Sequence, residues 1–330
     1  MIMYNIINEF KVGDWNIIQG TLYYIQNSII NTPNKIQVND YFGVKYYESV
    51  INVFTSRSKN TLYDYKGKVI DEFEGRNYIY IFSNNNAIYY DRISKVLKYN
   101  ETVLFQGKIQ FYYIFKHFVF FSKDSKLFKI NNLEGKNIWV INLENNSEIK
   151  KILGIWESEL IVACSDGLLI SLDIENGELK RSWQDISGFQ FDSVIQNRIP
   201  KMEIFSLHGD VLIGALHIFY FELDLKTGEI KIENLEEELK CFDIFHIKQT
   251  NDNPVTDSHI FLTAMMHQPD GDNKFSYDCL IALNRKTFKI DWQYKFENES
   301  LGTNIPKLAG DKLYQLDNGG TLHIFEKEGV

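Results

Sequence analysis

Proline and cysteine are scarce in this sequence, at five and three of 330 residues, and there are only 20 glycines. No stretch is rich enough in these residues to form a long flexible linker, so the chain is expected to be one domain over residues 1–330, with 1–75 the least regular part. Cys164, Cys241 and Cys279 are odd in number and far apart. They provide neither a disulfide framework nor a CxxC metal clip, and all three are expected as buried small hydrophobes in a reducing compartment. No run approaches 18 apolar residues, which excludes a membrane-spanning helix. The opening MIMYNIINEFKVGD has no basic segment, long apolar core or small-residue cleavage site, so a cytoplasmic location is expected. Positive charge is also in deficit. At a formal charge of −9 the global field repels phosphate backbones and anionic membranes, so neither nucleic acid nor a membrane is an expected partner. A basic protein is the natural complement.

What the chain has in quantity is aromatic and β-branched residues. Aromatics make up 15% and hydrophobics 44% of it, enough for a large core on pleated surfaces. The apolar residues come in strand-sized runs such as Tyr78 to Phe82, Phe118 to Phe121, Leu160 to Ala163 and Ile260 to Ala264, bounded by Asn, Asp, Gly or Lys. Helical periodicity is nowhere sustained, although Leu235 to Leu239 is compatible with one short turn of helix.

One pattern recurs along these strands. It reads LFKINNLEGKNIW (127–139), LISLDIENGELKRSW (169–183), FYFELDLKTGEIKIEN (219–234) and LIALNRKTFKIDW (280–292). A strand ends at Asn131, Asp173, Asp224 or Asn284, a short loop follows, and a second strand begins. Gly135, Gly177 and Gly228 stand four places after the Asx residue, where a bulged hairpin needs positive φ. Phe288 stands in that place in the fourth copy, so its turn is expected to differ. Weaker copies are anchored at Asp64, Asp91 and Glu326. Several anchor intervals are close to 40 residues, room for four short strands and their turns. The short step from Asp64 to Asp91 implies a stripped blade or a misplaced anchor, and the two steps either side of Asp224 imply insertions.

These repeats resemble the PQQ-like, quinoprotein-type β-propeller repeat, with Trp139, Trp183 and Trp292 in its Trp position. The resemblance is good over about residues 76–296 and implies an all-β, single propeller of four-stranded antiparallel blades. Seven anchors point to seven blades, with six or eight also admissible. The last blade is short of a strand, which the segment near Tyr4 to Phe10 could supply, hiding the ring's edges. Quinone enzymes of the family are exported and often stack the cofactor on a disulfide between adjacent cysteines. This chain has no such pair, and no cofactor is expected.

Catalytic signatures are missing too. There is no GxSxG, GxGxxG or GxxxxGK[ST], and the seven histidines form no HExxH or other close-spaced clip. Ligands collected from different blades remain the open alternative. Asp270 and Asp272 stand two apart as in a calcium loop, but Lys274 takes the next oxygen position, which favours an exposed turn. The Trp and Asx residues are explained by packing between blades and by turn geometry without any chemistry.

Function is therefore expected on loops. In a propeller the connections between strands two and three, and between successive blades, share one face. The insertion Gln184 to Met202 carries Arg198 and Lys201, and His267 to Lys274 carries His267, Asp270, Asp272 and Lys274. These six are the candidate partner-binding residues, while Asn251 to Asp257 falls on the opposite face. The expected function is a non-catalytic, monomeric protein-binding propeller, in its most specific form an immunity protein that neutralises a basic toxin. The alternatives are a hydrolase or lyase with an axial metal, and a scaffold subunit.

Overall fold

The computed structural model describes residues 4–38, 41–47, 49–54, 59–74, 77–83, 86–91, 94–109, 112–115, 118–123, 126–131, 136–142, 149–164, 168–183, 205–248, 250, 252–267, 277–296 and 300–328. Its strands form eight four-stranded antiparallel sheets, the blades of a β-propeller. Contacts divide the chain into two compact units, residues 11–146 and residues 1–10 with 147–330.

Residues 11–146 hold blades one to four, at 15–37, 43–74, 77–106 and 112–142. The other unit holds blades five to seven, at 149–183, 206–234 and 244–296. Its blade eight is built from Lys307–Ala309, Lys312–Leu316, Thr321–Lys327 and the N-terminal strand Tyr4–Lys11. The N-terminal strand is thus the one that the last repeat lacked. The count is eight rather than seven because blade one escapes the repeat pattern: its third strand is the two-residue Ile29–Ile30.

Asp64, Asn131, Asp173, Asp224 and Asn284 each end the third strand of a blade, and Glu326 stands one residue short of that place. Asp91 is the misplaced anchor. It ends the second strand of blade three, Asn86–Asp91, where its carboxylate accepts from the Ser94 N–H at 3.2 Å and from Ser94 Oγ at 2.6 Å. The chemistry is the same, at the preceding turn, and this shortens the interval from Asp64.

The second strands of blades five and seven read as continuous apolar runs because both of their faces are buried. Glu159–Cys164 and His259–Met266 are buried almost throughout, and the clusters they form join consecutive blades. Blades six and seven share Ile213, Tyr220, Ile260, Leu262 and Ile281; blades seven and eight share Phe261, Leu280, Leu313 and Phe325. Burying each such side chain contributes about 1.5–3 kcal/mol. Trp183 packs into the cluster joining blades five and six. The Trp292 ring lies against Tyr4 and Phe325 and donates from Nε1 to the Tyr4 carbonyl at 2.9 Å. Trp139 is buried against Phe120 of its own blade.

The turns after the third strands follow the expected chemistry. Asp173 Oδ1 accepts from the N–H groups of Glu175 and Asn176, Asp224 from Lys226 and Thr227, and Asn284 from Lys286 and Thr287, all at 2.8–3.1 Å. These backbone donors hold the Asp173 and Asp224 carboxyls below the usual range. The Gly135 turn lies outside the described residues.

Phe288 corrects the expectation of a different turn. Its φ is 56° and its N–H donates to Asn284 O at 2.9 Å, reproducing Gly177 (φ 77°) and Gly228 (φ 74°). The ring offsets the strain: it lies 5.5 Å from Tyr220, and Lys231 Nζ sits 4.2 Å from its centroid. Phe288→Ala keeps the strained backbone without the ring, so it is expected to cost more than Phe288→Gly, by roughly 0.5–1 kcal/mol. Urea unfolding of the two variants measures that order, and an Ala variant at least as stable as the Gly variant contradicts it.

Cys241 is a second correction. Cys164 and Cys279 are buried, and burial pushes the Cys279 thiol up to about 12. Cys241 is exposed at the end of the helix Glu236–Cys241, whose Leu239 faces the core instead.

Candidate functional site

In an antiparallel four-stranded blade, the connection from the preceding blade and the connection between strands two and three emerge at the same end. Much of the excess in the two long anchor intervals falls there. Residues 184–205 lie between blades five and six, and 267–276 between strands two and three of blade seven. Arg198, Lys201, Asp270, Asp272 and Lys274 lie outside the described residues. His267, the first residue of the second insertion, is described, and it belongs to a cluster.

The cluster is built on the first strand of blade seven, Ile244–Ile247. Ile244 and Ile247 are buried, while Phe245 is 58% exposed. The cause is a bulge. Ile244 pairs with Met266 and His246 with Met265, so Phe245 has no cross-strand partner and its side chain is turned out. Its ring lies edge-on to His246 at 4.9 Å and to His267 at 5.3 Å. The His267 N–H donates to Asp243 O at 2.8 Å, and Asp243 itself has φ 56°.

Blade six contributes His217 from the two-residue turn after Val211–Leu216. His217 exchanges two backbone hydrogen bonds with Ile247, at 3.0 and 2.7 Å, and its ring centroid lies 5.5 Å from that of His246. Burial pushes His246 below the ordinary imidazole range, and His217 and Lys248 push the same way against Asp278. The His246 ring is therefore neutral at pH 7, which keeps the ground beside Phe245 weakly polar.

Beneath this surface lies a rigid support. Asp278, 3% exposed, accepts from Lys248 Nζ at 2.6 Å, Ser300 Oγ at 3.0 Å and the Leu301 N–H at 2.5 Å. One carboxylate thus joins Lys248, the third strand Tyr277–Asn284 and the passage into blade eight.

Two other polar networks bear on chemistry. Ser258 Oγ lies 2.8 Å from His259 Nδ1, and His259 Nε2 lies 2.8 Å from Asp291 Oδ2, in the order of a hydrolase relay. Asp291 also accepts from Asn284 Nδ2 at 3.0 Å, and His259 and Asn284 are cross-strand partners. Burial works against the Asp291 charge, but the Asn284 and His259 hydrogen bonds outweigh it and hold the carboxyl below its usual range. The network acts as a clamp across strands two, three and four of blade seven. His323, buried between Glu9 at 2.8 Å and Asp317 at 2.9 Å, clamps the N-terminal strand to blade eight in the same way. Among the described residues no group of three or more His, Cys, Asp or Glu is placed to hold a metal ion.

The sequence singled out His267 but not Phe245, against which its ring lies, nor His246 and His217. IFHI carries no Gly or Pro to mark a bulge, and the two histidines approach only through the pairing of neighbouring blades.

No protein-family model matches the sequence, and no curated protein matches it either. Solved structures do. The chain is similar to BamB from Moraxella catarrhalis, with 13% identity, a TM-score of 0.62 and 98% of each chain covered. It is also similar to Sqt1 from Saccharomyces cerevisiae, with 10% identity, a TM-score of 0.62, and 98% of this chain and 99% of that one covered. At these identities the likeness is one of fold, a propeller of blade repeats along nearly the whole chain.

Proposed function

We propose that this propeller is a non-catalytic binding protein that grips a protein partner with the end of its blades where the insertions emerge. The observation that supports this most directly is Phe245. A bulge places an aromatic ring in solvent at 58% exposure, braced edge-on by two imidazoles and backed by a buried ionic support. Aromatic anchors on rigid ground are what protein interfaces concentrate their binding energy on. The formal charge of −9 favours a basic partner. In its sharpest form the reading is an immunity protein that neutralises a cognate basic toxin domain.

Co-purification with the products of neighbouring genes, followed by titration of the pair, tests it. Phe245→Ala is expected to weaken binding by about 2 kcal/mol, roughly thirtyfold, with the thermal midpoint unchanged. Unaltered affinity would remove this end of blade seven from the interface. The rival hydrolase or lyase reading requires stoichiometric calcium or zinc in the same purified protein.

A further inference from the structure

A second place, at the corresponding end of its own blades, holds groups that the fold leaves open. Gly13 and Asp14 precede the first strand of blade one, Trp15–Ile18, and Tyr41 and Phe42 precede the first strand of blade two, Gly43–Tyr46. The two passages meet because Gly13 has no side chain: the Tyr41 hydroxyl occupies the space that a Cβ there would need. Asp14 Oδ2 accepts from the Val44 N–H at 3.0 Å, and the Tyr46 hydroxyl reaches the Asp14 carbonyl at 3.5 Å. Asp14 Oδ1 accepts from nothing among the described residues, and none of their cations pairs with the carboxylate. Burial raises the Asp14 carboxyl above the usual range, and the Val44 N–H only partly offsets this. Burial and the Asp14 charge raise the Tyr41 and Tyr46 hydroxyls in turn. Next in the chain after Tyr41 stands Phe42, at 73% the most exposed large hydrophobic among the described residues. Its backbone is fixed by a 2.6 Å hydrogen bond to Phe54 O while its ring lies in solvent.

A partly desolvated carboxylate without a counter-charge is costly, and a cation that arrives from outside recovers the cost. One carboxylate oxygen without a partner among the described residues offers too few ligands for a hard metal ion, which takes six or more. We infer that Asp14, Tyr41 and Phe42 form a receptor for an arginine side chain of a protein partner. The guanidinium donates to the Asp14 carboxylate while its plane lies on an aromatic ring. Arginine fits better than lysine because it is planar, weakly hydrated and stacks on rings. This deepens the docking proposal and rests on it for the source of the arginine, but it involves different blades from Phe245.

The test uses the full chain and a small probe, acetyl-Gly-Arg-Gly-amide, with its neutral citrulline twin and its lysine twin, at about 0.15 M salt to screen diffuse attraction. NMR titration is expected to show the arginine peptide binding about tenfold more tightly than the citrulline peptide, and more tightly than the lysine peptide. Asp14→Asn, which keeps an acceptor for Val44, is expected to remove that preference. Phe42→Ala is expected to weaken binding several-fold, and Phe245→Ala to leave it unchanged. Equal binding of the arginine and citrulline peptides, or of the arginine and lysine peptides, overturns the inference. So does wild-type affinity in both Asp14→Asn and Phe42→Ala. Should Asp14→Asn fold poorly, Phe42→Ala decides, since its ring supports nothing in the core. Loss of peptide binding in Phe42→Ala, with protein-partner binding unaltered in Phe245→Ala, would separate this site from the docking proposal.

Discussion

Removal of residues 1–10 is expected to be the most damaging change that can be made to this protein without touching its middle. The strand Tyr4–Lys11 covers the edge of Thr321–Lys327, and several contacts leave with it. Tyr4, nearly buried, packs on Phe261 at 5.7 Å and Trp292 at 5.4 Å. Its carbonyl is the acceptor for Trp292 Nε1, and Glu9 holds His323. Tyr4→Ala alone is expected to cost about 3–5 kcal/mol, the range for emptying a buried aromatic site. The deletion costs more and also bares a strand edge flanked by Ile324 and Phe325, inviting association between copies. Urea unfolding and size-exclusion chromatography measure the two effects. A truncated chain that stays monomeric with an unshifted midpoint would show that the strand holds nothing together.

Asp278→Ala is expected to rank second. It leaves Lys248 enclosed without its counter-charge and strips the Leu301 N–H of its acceptor. Breaking a buried pair from one side costs about 3–5 kcal/mol, most of it the penalty on the abandoned charge. The double variant Asp278→Ala with Lys248→Met is therefore expected to be more stable than Asp278→Ala alone. If removing the lysine brings no recovery, the ion pair is not what the carboxylate contributes.

Much of the fold was legible because the repeat unit is a piece of local chemistry. An Asx side chain that closes its own turn leaves a mark at fixed spacing, so Asp64, Asn131, Asp173, Asp224 and Asn284 could be found, and all end third strands. The same chemistry misled at Asp91, because an aspartate closes the turn after a second strand equally well. Blade one was invisible for a related reason. After Ile29–Ile30 the chain is held by Asn31, whose Oδ1 accepts from Tyr24 N at 2.5 Å and whose Nδ2 donates to Leu22 O at 3.2 Å. That residue reaches backward rather than forward, and the forward-looking pattern cannot register it. Phe288 was misread because side-chain identity sets only a preference for positive φ, and ring contacts across blades six and seven override it.

The candidate site was less legible. Loop length pointed to His267 and to the end of blade seven where it stands, but not to the cluster there. The protrusion of Phe245 depends on a register shift against Met265 and Met266, a property of two strands together that neither one announces. Asp14 and Tyr41 stand far apart in the chain and become neighbours only through a glycine that gives way to a hydroxyl.

The bulge at Phe245 has an evolutionary corollary. A position that the ladder does not use can change its side chain at little expense to the architecture, so descendants of this gene could exchange the aromatic for another group and keep the scaffold intact. Recognition at this position could thus change while the frame stays as it is.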